Sequence, residues 1–192
     1  MTNYEEKKFN IPELKGISKK AVEEHLKLYA GYVKNTNNVF MQTAELAKNP
    51  GTAYASSETQ RRLGVEFDGM RNHEYYFALF EGGAKPLSEK SPLKIAIEKE
   101  FGSFENWLNA FKTLAMTRGP GWAILYKDGD RLLNSWVDEH HLGQLTGLSP
   151  VIALDMWEHA YMIDYVPADK KKYIEAFFEN INWEVAEKFF SR

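Results

Sequence analysis

From residue 19 to about residue 48, apolar side chains return every three or four positions: Val22, Leu26, Tyr29 and Val33, then Val39, Phe40, Ala44 and Leu46. That period predicts one long helix, with Ser18 placed to cap its start and Asn49-Pro50-Gly51 to stop it. A second helical run spans about 57 to 80 and ends at Gly82-Gly83. Gly64 and Gly69 inside it cost helix propensity and permit a close neighbour. The two runs read as an antiparallel helical hairpin. Shorter helices are predicted from Pro92 to about Phe101, and from Ser103 to about Thr117 with Trp107, Phe111 and Leu114 inward. After Gly119-Pro120-Gly121 the period drops to two. Residues 122–126 and 132–137 flank Asp128-Gly129-Asp130, a β-hairpin signal. The apolar run 151–154 fits a central strand. A helical stretch to about 164, a break at Pro167 and a last amphipathic helix or helix pair to Phe190 complete the chain. Helices first and a small antiparallel sheet wrapped by helices afterwards define an α+β chain. The stretch 83–88 is the best seam, which divides it into an N-terminal α-hairpin domain, 1–84, and a C-terminal α/β domain, 85–192.

Composition narrows the function. With 192 residues, 44% hydrophobic and 27% charged, the chain is an ordinary globular one. The 24 basic and 27 acidic residues leave a net charge of −3, which lends a nucleic-acid partner no support. The absence of cysteine excludes disulfides, thiolate metal sites and cysteine nucleophiles. No long apolar run and no apolar leader occur, so the expectation is a soluble cytoplasmic protein without a membrane partner.

Five histidines are present: His25, His73, His140, His141 and His159. His25 and His73 fall on the two arms of the predicted hairpin, where mid-helix positions can face one another. Asp155 and His159 lie four apart where the third strand meets a helix, which can turn both toward one point. Three imidazoles and one carboxylate would make a nitrogen/oxygen site for a first-row transition metal. Spacing alone equally allows ordinary core histidines, an Asp155 that merely caps a helix, and Tyr32, Tyr76, Trp122 and Trp157 as plain core aromatics.

The stretch Asp155-Met-Trp157-Glu158-His159-Ala160-Tyr161 resembles the D-x-W-E-H-A-Y signature of the iron/manganese superoxide dismutases. Other matches follow the family's order: Tyr32-Val33-x-Asn35-x-Asn37, Asn72-His73, Gly121-Trp122, Gly147-Leu148-x-Pro150 and Ile181-Asn182-Trp183. The resemblance spans nearly the whole chain. It implies a helical hairpin followed by an α/β domain with a three-stranded antiparallel sheet, and superoxide disproportionation with one iron or manganese ion per subunit, an antioxidant activity. It also implies that His73, Asp155 and His159 are metal ligands. Glu158 would reach across a homodimer interface to the partner's His159, with further pairing into tetramers left open. Tyr32 would line the superoxide entrance, and Trp122 and Trp157 would shield the metal. A catalytically impaired or non-catalytic metal-binding dimer is the alternative, and a metal-dependent hydrolase a weaker one.

Three positions depart from the family's pattern. Counting back from Tyr32, the first ligand falls on Glu24 and His25 is one residue late. Seven residues are almost two helical turns, so His25 shares a face with Tyr32 and is taken as the ligand, with Glu24 the alternative. The family's histidine–tyrosine gate is replaced by Leu28 or Tyr29 at one end and Met162 at the other. The position four before His73, where many iron enzymes carry glutamine, is Gly69. Glu139, His140 and His141 offer the other location for a group touching solvent on the metal, and His140 is chosen. Lys170 is the nearest match to the family's basic residue at the entrance.

Overall fold

The computed structural model describes residues 2–192. Helix α1 (Lys19–Leu46) opens on Ser18, whose hydroxyl accepts from the Ala21 N–H at 3.1 Å, a cap typically worth ~1 kcal/mol. It buries Ala21, His25, Tyr29, Val33, Thr36 and Val39, an i, i+4, i+8 stripe without interruption. The second predicted run starts earlier than its periodicity indicates and is broken. Helix α2 (Ala53–Arg61) has no buried residue, and a turn at Arg62 redirects the chain into α3 (Leu63–Ala78). Only α3 carries a core face, with Gly69, Met70, His73, Tyr76 and Phe77 buried against α1. The break has a plain cause: the one large apolar side chain in 53–61, Tyr54, is exposed, so nothing holds the segment on the same axis.

Helices α4 (Pro92–Phe101) and α5 (Phe104–Ala115) begin at Ser91 and Ser103, each accepting a backbone N–H. Strands β1 (Gly121–Asp128) and β2 (Arg131–Asp138) form the predicted hairpin through Gly129-Asp130, with Gly129 at φ +55°. Strand β3 (Ser149–Asp155) pairs antiparallel with β1, so the order is β2-β1-β3. The apolar run at 151–154 is therefore an edge strand rather than the central one. Its five buried residues reflect packing of α3 and α8 (Trp183–Phe190) against it, not strands on both sides. A short helix α6 (Glu158–Tyr161) follows, then α7 (Lys170–Asn180) and α8, the pair the sequence pattern allowed.

The register sets Trp122 opposite both Asp155 and Val137, so the end of the sheet faces the α1–α3 pair. Gly121 is required there. A Cβ on it would lie against the Val137 carbonyl and the Trp136 ring. No helix among the described residues is long and apolar enough to cross a membrane.

Candidate metal centre

Four elements bring one side chain each to a common point. His25 comes from α1, His73 from α3, Asp155 from the end of β3 and His159 from α6, one turn beyond Asp155. Their candidate ligand atoms all lie within 4.8 Å of one another. Asp155 Oδ2 is at the centre, 3.1 Å from His25 Nε2, 3.1 Å from His159 Nε2 and 3.5 Å from His73 Nε2. His25, His73 and Asp155 are buried, and His159 is 19% exposed through its side chain. Asp155 Oδ1 accepts from the Trp157 N–H at 2.8 Å, which fixes the carboxylate plane.

Whether these residues suit a cation is decided by His73. Its Nδ1 lies 2.5 Å from the Gly69 carbonyl, which can only accept, so Nδ1 carries the proton. Nε2 is left as a bare lone pair, fully buried and without a hydrogen-bond partner, facing the Asp155 carboxylate. Two buried lone pairs turned on one another suit a positive centre between them. The donor set, three imidazoles and a carboxylate with no sulfur, fits iron or manganese.

The electrostatics follow from that crowding. Burial alone would raise the Asp155 carboxyl, but His159 and His25 outweigh it and hold Asp155 well below the usual carboxylate range. Burial, then the charge of His25, pushes His73 far below an ordinary imidazole. Burial also lowers His25, only partly offset by its bond to Asp155. His159 is less enclosed, and Asp155 overcomes its burial to raise it.

Glu24, one residue from His25, points to solvent and pairs with Lys27 at 2.7 Å. The structure therefore brings His25 into the cluster and leaves Glu24 outside, as helix phase requires. Of the three residues at 139–141, only His140 is buried. Glu139 takes φ +52°, a left-handed turn that aims His140 inward, and its carbonyl accepts from Trp157 Nε1 at 3.1 Å. His140 Nδ1 receives Trp122 Nε1–H at 3.0 Å, its Nε2 is 2.6 Å from the Tyr32 hydroxyl, and its ring stacks on Trp157. Burial lowers His140 to about 4, and burial with the charges of Asp155 and Glu66 raises Tyr32. The Tyr32 ring stacks on His73 and fills the space in front of Gly69, where a Cβ would come within 2.6 Å of it. An open cleft of about 510 Å³ leads to Tyr32, His140 and Trp157.

Other expected residues lie elsewhere. Glu158 is exposed and makes no ion pair with another described residue of the chain. Leu28 and Met162 both face outward, whereas Tyr29 is buried and takes its hydroxyl away to the Lys7 N–H and Glu74. Lys170 donates to the Thr117 carbonyl and lies over Trp136, so it does not line the cleft. Lys27 and Arg62 are the cations there. Sequence reasoning missed Asn72 and Gln144 as the anchors of the His140 loop. Both donate to the His140 carbonyl, at 3.1 and 2.9 Å. It also missed the Arg62–Glu66 pair at the cleft, whose i, i+4 spacing was the available signal.

A family model described as "Iron/manganese superoxide dismutases, C-terminal domain" matches residues 89–189. An iron superoxide dismutase of Cupriavidus metallidurans is 37% identical, covering 91% of this chain and 88% of the relative. One of Aquifex pyrophilus, also named as the iron enzyme, is 36% identical over 93% and 86%. A manganese superoxide dismutase of Haloarcula marismortui is 42% identical over 82% and 77%. The two-part α+β fold and the buried His/Asp quartet thus define a metal-dependent oxidoreductase class. The chain belongs to the iron/manganese superoxide dismutase family.

Proposed function

We propose that this chain disproportionates superoxide to dioxygen and hydrogen peroxide, with one iron or manganese ion held by His25, His73, Asp155 and His159. The observation that carries the reading is the buried, partnerless Nε2 of His73 turned on the Asp155 carboxylate. Such an ion supplies, when bound, a one-electron couple linking oxidation of one superoxide to reduction of a second.

The protein's residues do the rest. The Asp155 carboxylate offsets cationic charge, and its bond from the Trp157 N–H keeps it oriented. Trp122, fully buried, and Trp157, stacked on His140 and His159, keep bulk water from the quartet. Tyr32 and His140, joined at 2.6 Å, stand at the inner end of the cleft, where the reduced anion must gain two protons. Lys27 and Arg62 stand at the rim, each paired with a glutamate, Lys27 with Glu24 and Arg62 with Glu66.

The working unit is a homodimer in which Glu158 of one chain bonds His159 of the other, which gives the exposed Glu158 a partner. The chain divides into two domains, 1–84 and 85–192, with the quartet spanning both, and it acts in the cytoplasm as an antioxidant enzyme. Iron-loaded and manganese-loaded protein, each assayed for superoxide removal, test the reading. Turnover with either metal, abolished by chelation, is expected; folded, metal-loaded protein without turnover would contradict it. A second reading has one observation in its favour. Leu28 and Met162 cannot relay protons, so a metal-holding homologue without turnover would give that second outcome.

A further inference from the structure

A second cavity, of about 570 Å³, lies between the N-terminal segment, α3 and α8, and shares no lining residue with the cleft that leads to Tyr32. Its volume falls in the range of small-molecule pockets, roughly 300–1,000 Å³. Part of its lining is apolar and largely aromatic: Phe9, Tyr75, Ala78, Val185 and Phe189, with the Tyr75 and Phe189 rings edge to face at 4.9 Å. The rest is charged, with Lys7, Lys8, Arg71, Lys188 and Arg192 set against Glu74 and Glu81.

Pairing decides what that charge can do. Glu74 is buried, and its Oε2 alone takes Lys7 at 2.6 Å and Arg71 at 2.8 Å. Two positive groups are thereby held around one negative group. Both are fixed from behind, Lys7 by its N–H on the Tyr29 hydroxyl at 2.8 Å and Arg71 by the Tyr4 and Phe67 rings at 5.2 and 5.3 Å. Both also stay partly exposed, so the donors not spent on Glu74 remain open to the cavity. Lys188 is exposed, and Glu184, one turn before it, is taken by Lys85 at 2.5 Å. Lys8 is occupied by Glu6 at 3.0 Å, and Arg192 lies over the Phe189 ring. Even without Arg192, then, Lys7, Arg71 and Lys188 face only Glu74 and Glu81. One positive charge is left over beside an aromatic surface.

We propose that this cavity is a binding site for a small organic monoanion, an aryl carboxylate, separate from the metal centre. The ring of such a ligand lies among Phe9, Tyr75, Val185 and Phe189, and its carboxylate accepts from Lys7, Arg71 and Lys188. A ring alone leaves the surplus charge unmatched, and a carboxylate alone forgoes the apolar burial, so only the two together use the whole site. The proposal does not depend on the dismutase reading.

Isothermal titration calorimetry of the metal-loaded full chain tests it with three probes: 2-naphthoate, which has ring and carboxylate, 2-naphthol, which has the ring without the charge, and acetate, which has the charge without the ring. The expected result is saturable binding of 2-naphthoate to one site per chain, at least about tenfold tighter than either of the others and weakened by added salt. Lys188→Glu, a change at an exposed position, should weaken 2-naphthoate by about tenfold, the weight of one charged hydrogen bond. Val185→Glu, which sets a carboxylate among the apolar residues, should abolish it. Lys27→Glu, at the other cleft, should leave it unchanged. Absence of saturable 2-naphthoate binding overturns the proposal, as does 2-naphthol or acetate binding equally well. Binding that survives Lys188→Glu but is lost in Lys27→Glu belongs to the metal cleft and overturns it too. If Val185→Glu does not fold, the Lys188→Glu and Lys27→Glu pair remains decisive. Superoxide removal is no part of the readout, so loss of the naphthoate site and loss of the dismutase reading are told apart.

Discussion

Asp155 and Glu74 are both buried carboxylates, and both lie beside His73, one in space and one in sequence. They are satisfied in opposite ways. Glu74 Oε2 is held by Lys7 at 2.6 Å and Arg71 at 2.8 Å, with the Tyr29 hydroxyl at 3.4 Å from the other oxygen. Permanent cations close its account, and nothing more is needed. Asp155 has no permanent cation near it, only three imidazoles that are neutral or positive according to their surroundings. One of those rings presents a lone pair that nothing among the described residues satisfies. The first arrangement is complete as protein; the second is complete only with an added positive ion. A buried carboxylate therefore marks a metal site through the kind of partner around it, not through burial.

The comparison breaks most visibly if the two carboxylates are neutralised in turn. Asp155→Asn should empty the site, with a loss of metal affinity beyond the roughly 100-fold that removal of an outer partner costs. Glu74→Gln should keep full metal content. Elemental analysis of the two purified variants checks both. Next in size is the pair on α1. His25→Ala should lose the metal while Glu24→Ala, altering only a surface pair with Lys27, should retain it.

That contrast between neighbours shows what could be read in advance. Helix phase alone separates His25 from Glu24, because 3.6 residues per turn carry His25, Tyr29 and Val33 along one buried side of α1, with half-buried Tyr32 beside them. The hairpin, the β1–β2 turn and the capping serines were equally legible, since each rests on local chemistry. The edge placement of β3 was not, because a strand covered by helices and one flanked by strands have the same apolar composition. The break at Arg62 was hidden for another reason: residues 56–62 are polar and contain no glycine or proline, so nothing in them signals a stop. Which of 139–141 turns inward depends on a left-handed backbone at Glu139, a non-glycine residue that gives no warning in sequence. Lys170 went astray because its charge is spent on the Thr117 carbonyl, a tertiary contact no motif encodes.

Smaller effects sharpen the comparison from the other side. Glu74→Gln should cost about 2 kcal/mol of stability by urea unfolding, less than a fully buried pair would, because Lys7 and Arg71 are 56% and 37% exposed. Lys7→Met should cost about 0.5 kcal/mol in the same assay, since Arg71 still neutralises Glu74. Neither change should alter metal content. If Glu74→Gln did release the metal, the two carboxylates would form one electrostatic unit, and the distinction drawn between them would be wrong.

The central claim is that the Asp155 cluster is a metal-binding site and not a hydrogen-bonded core. Elemental analysis of the purified full-length chain after reconstitution with iron or manganese tests it most directly. The account predicts one redox-active ion per chain, lost in Asp155→Asn and retained in Glu74→Gln. A folded wild-type chain that takes up neither metal would contradict it.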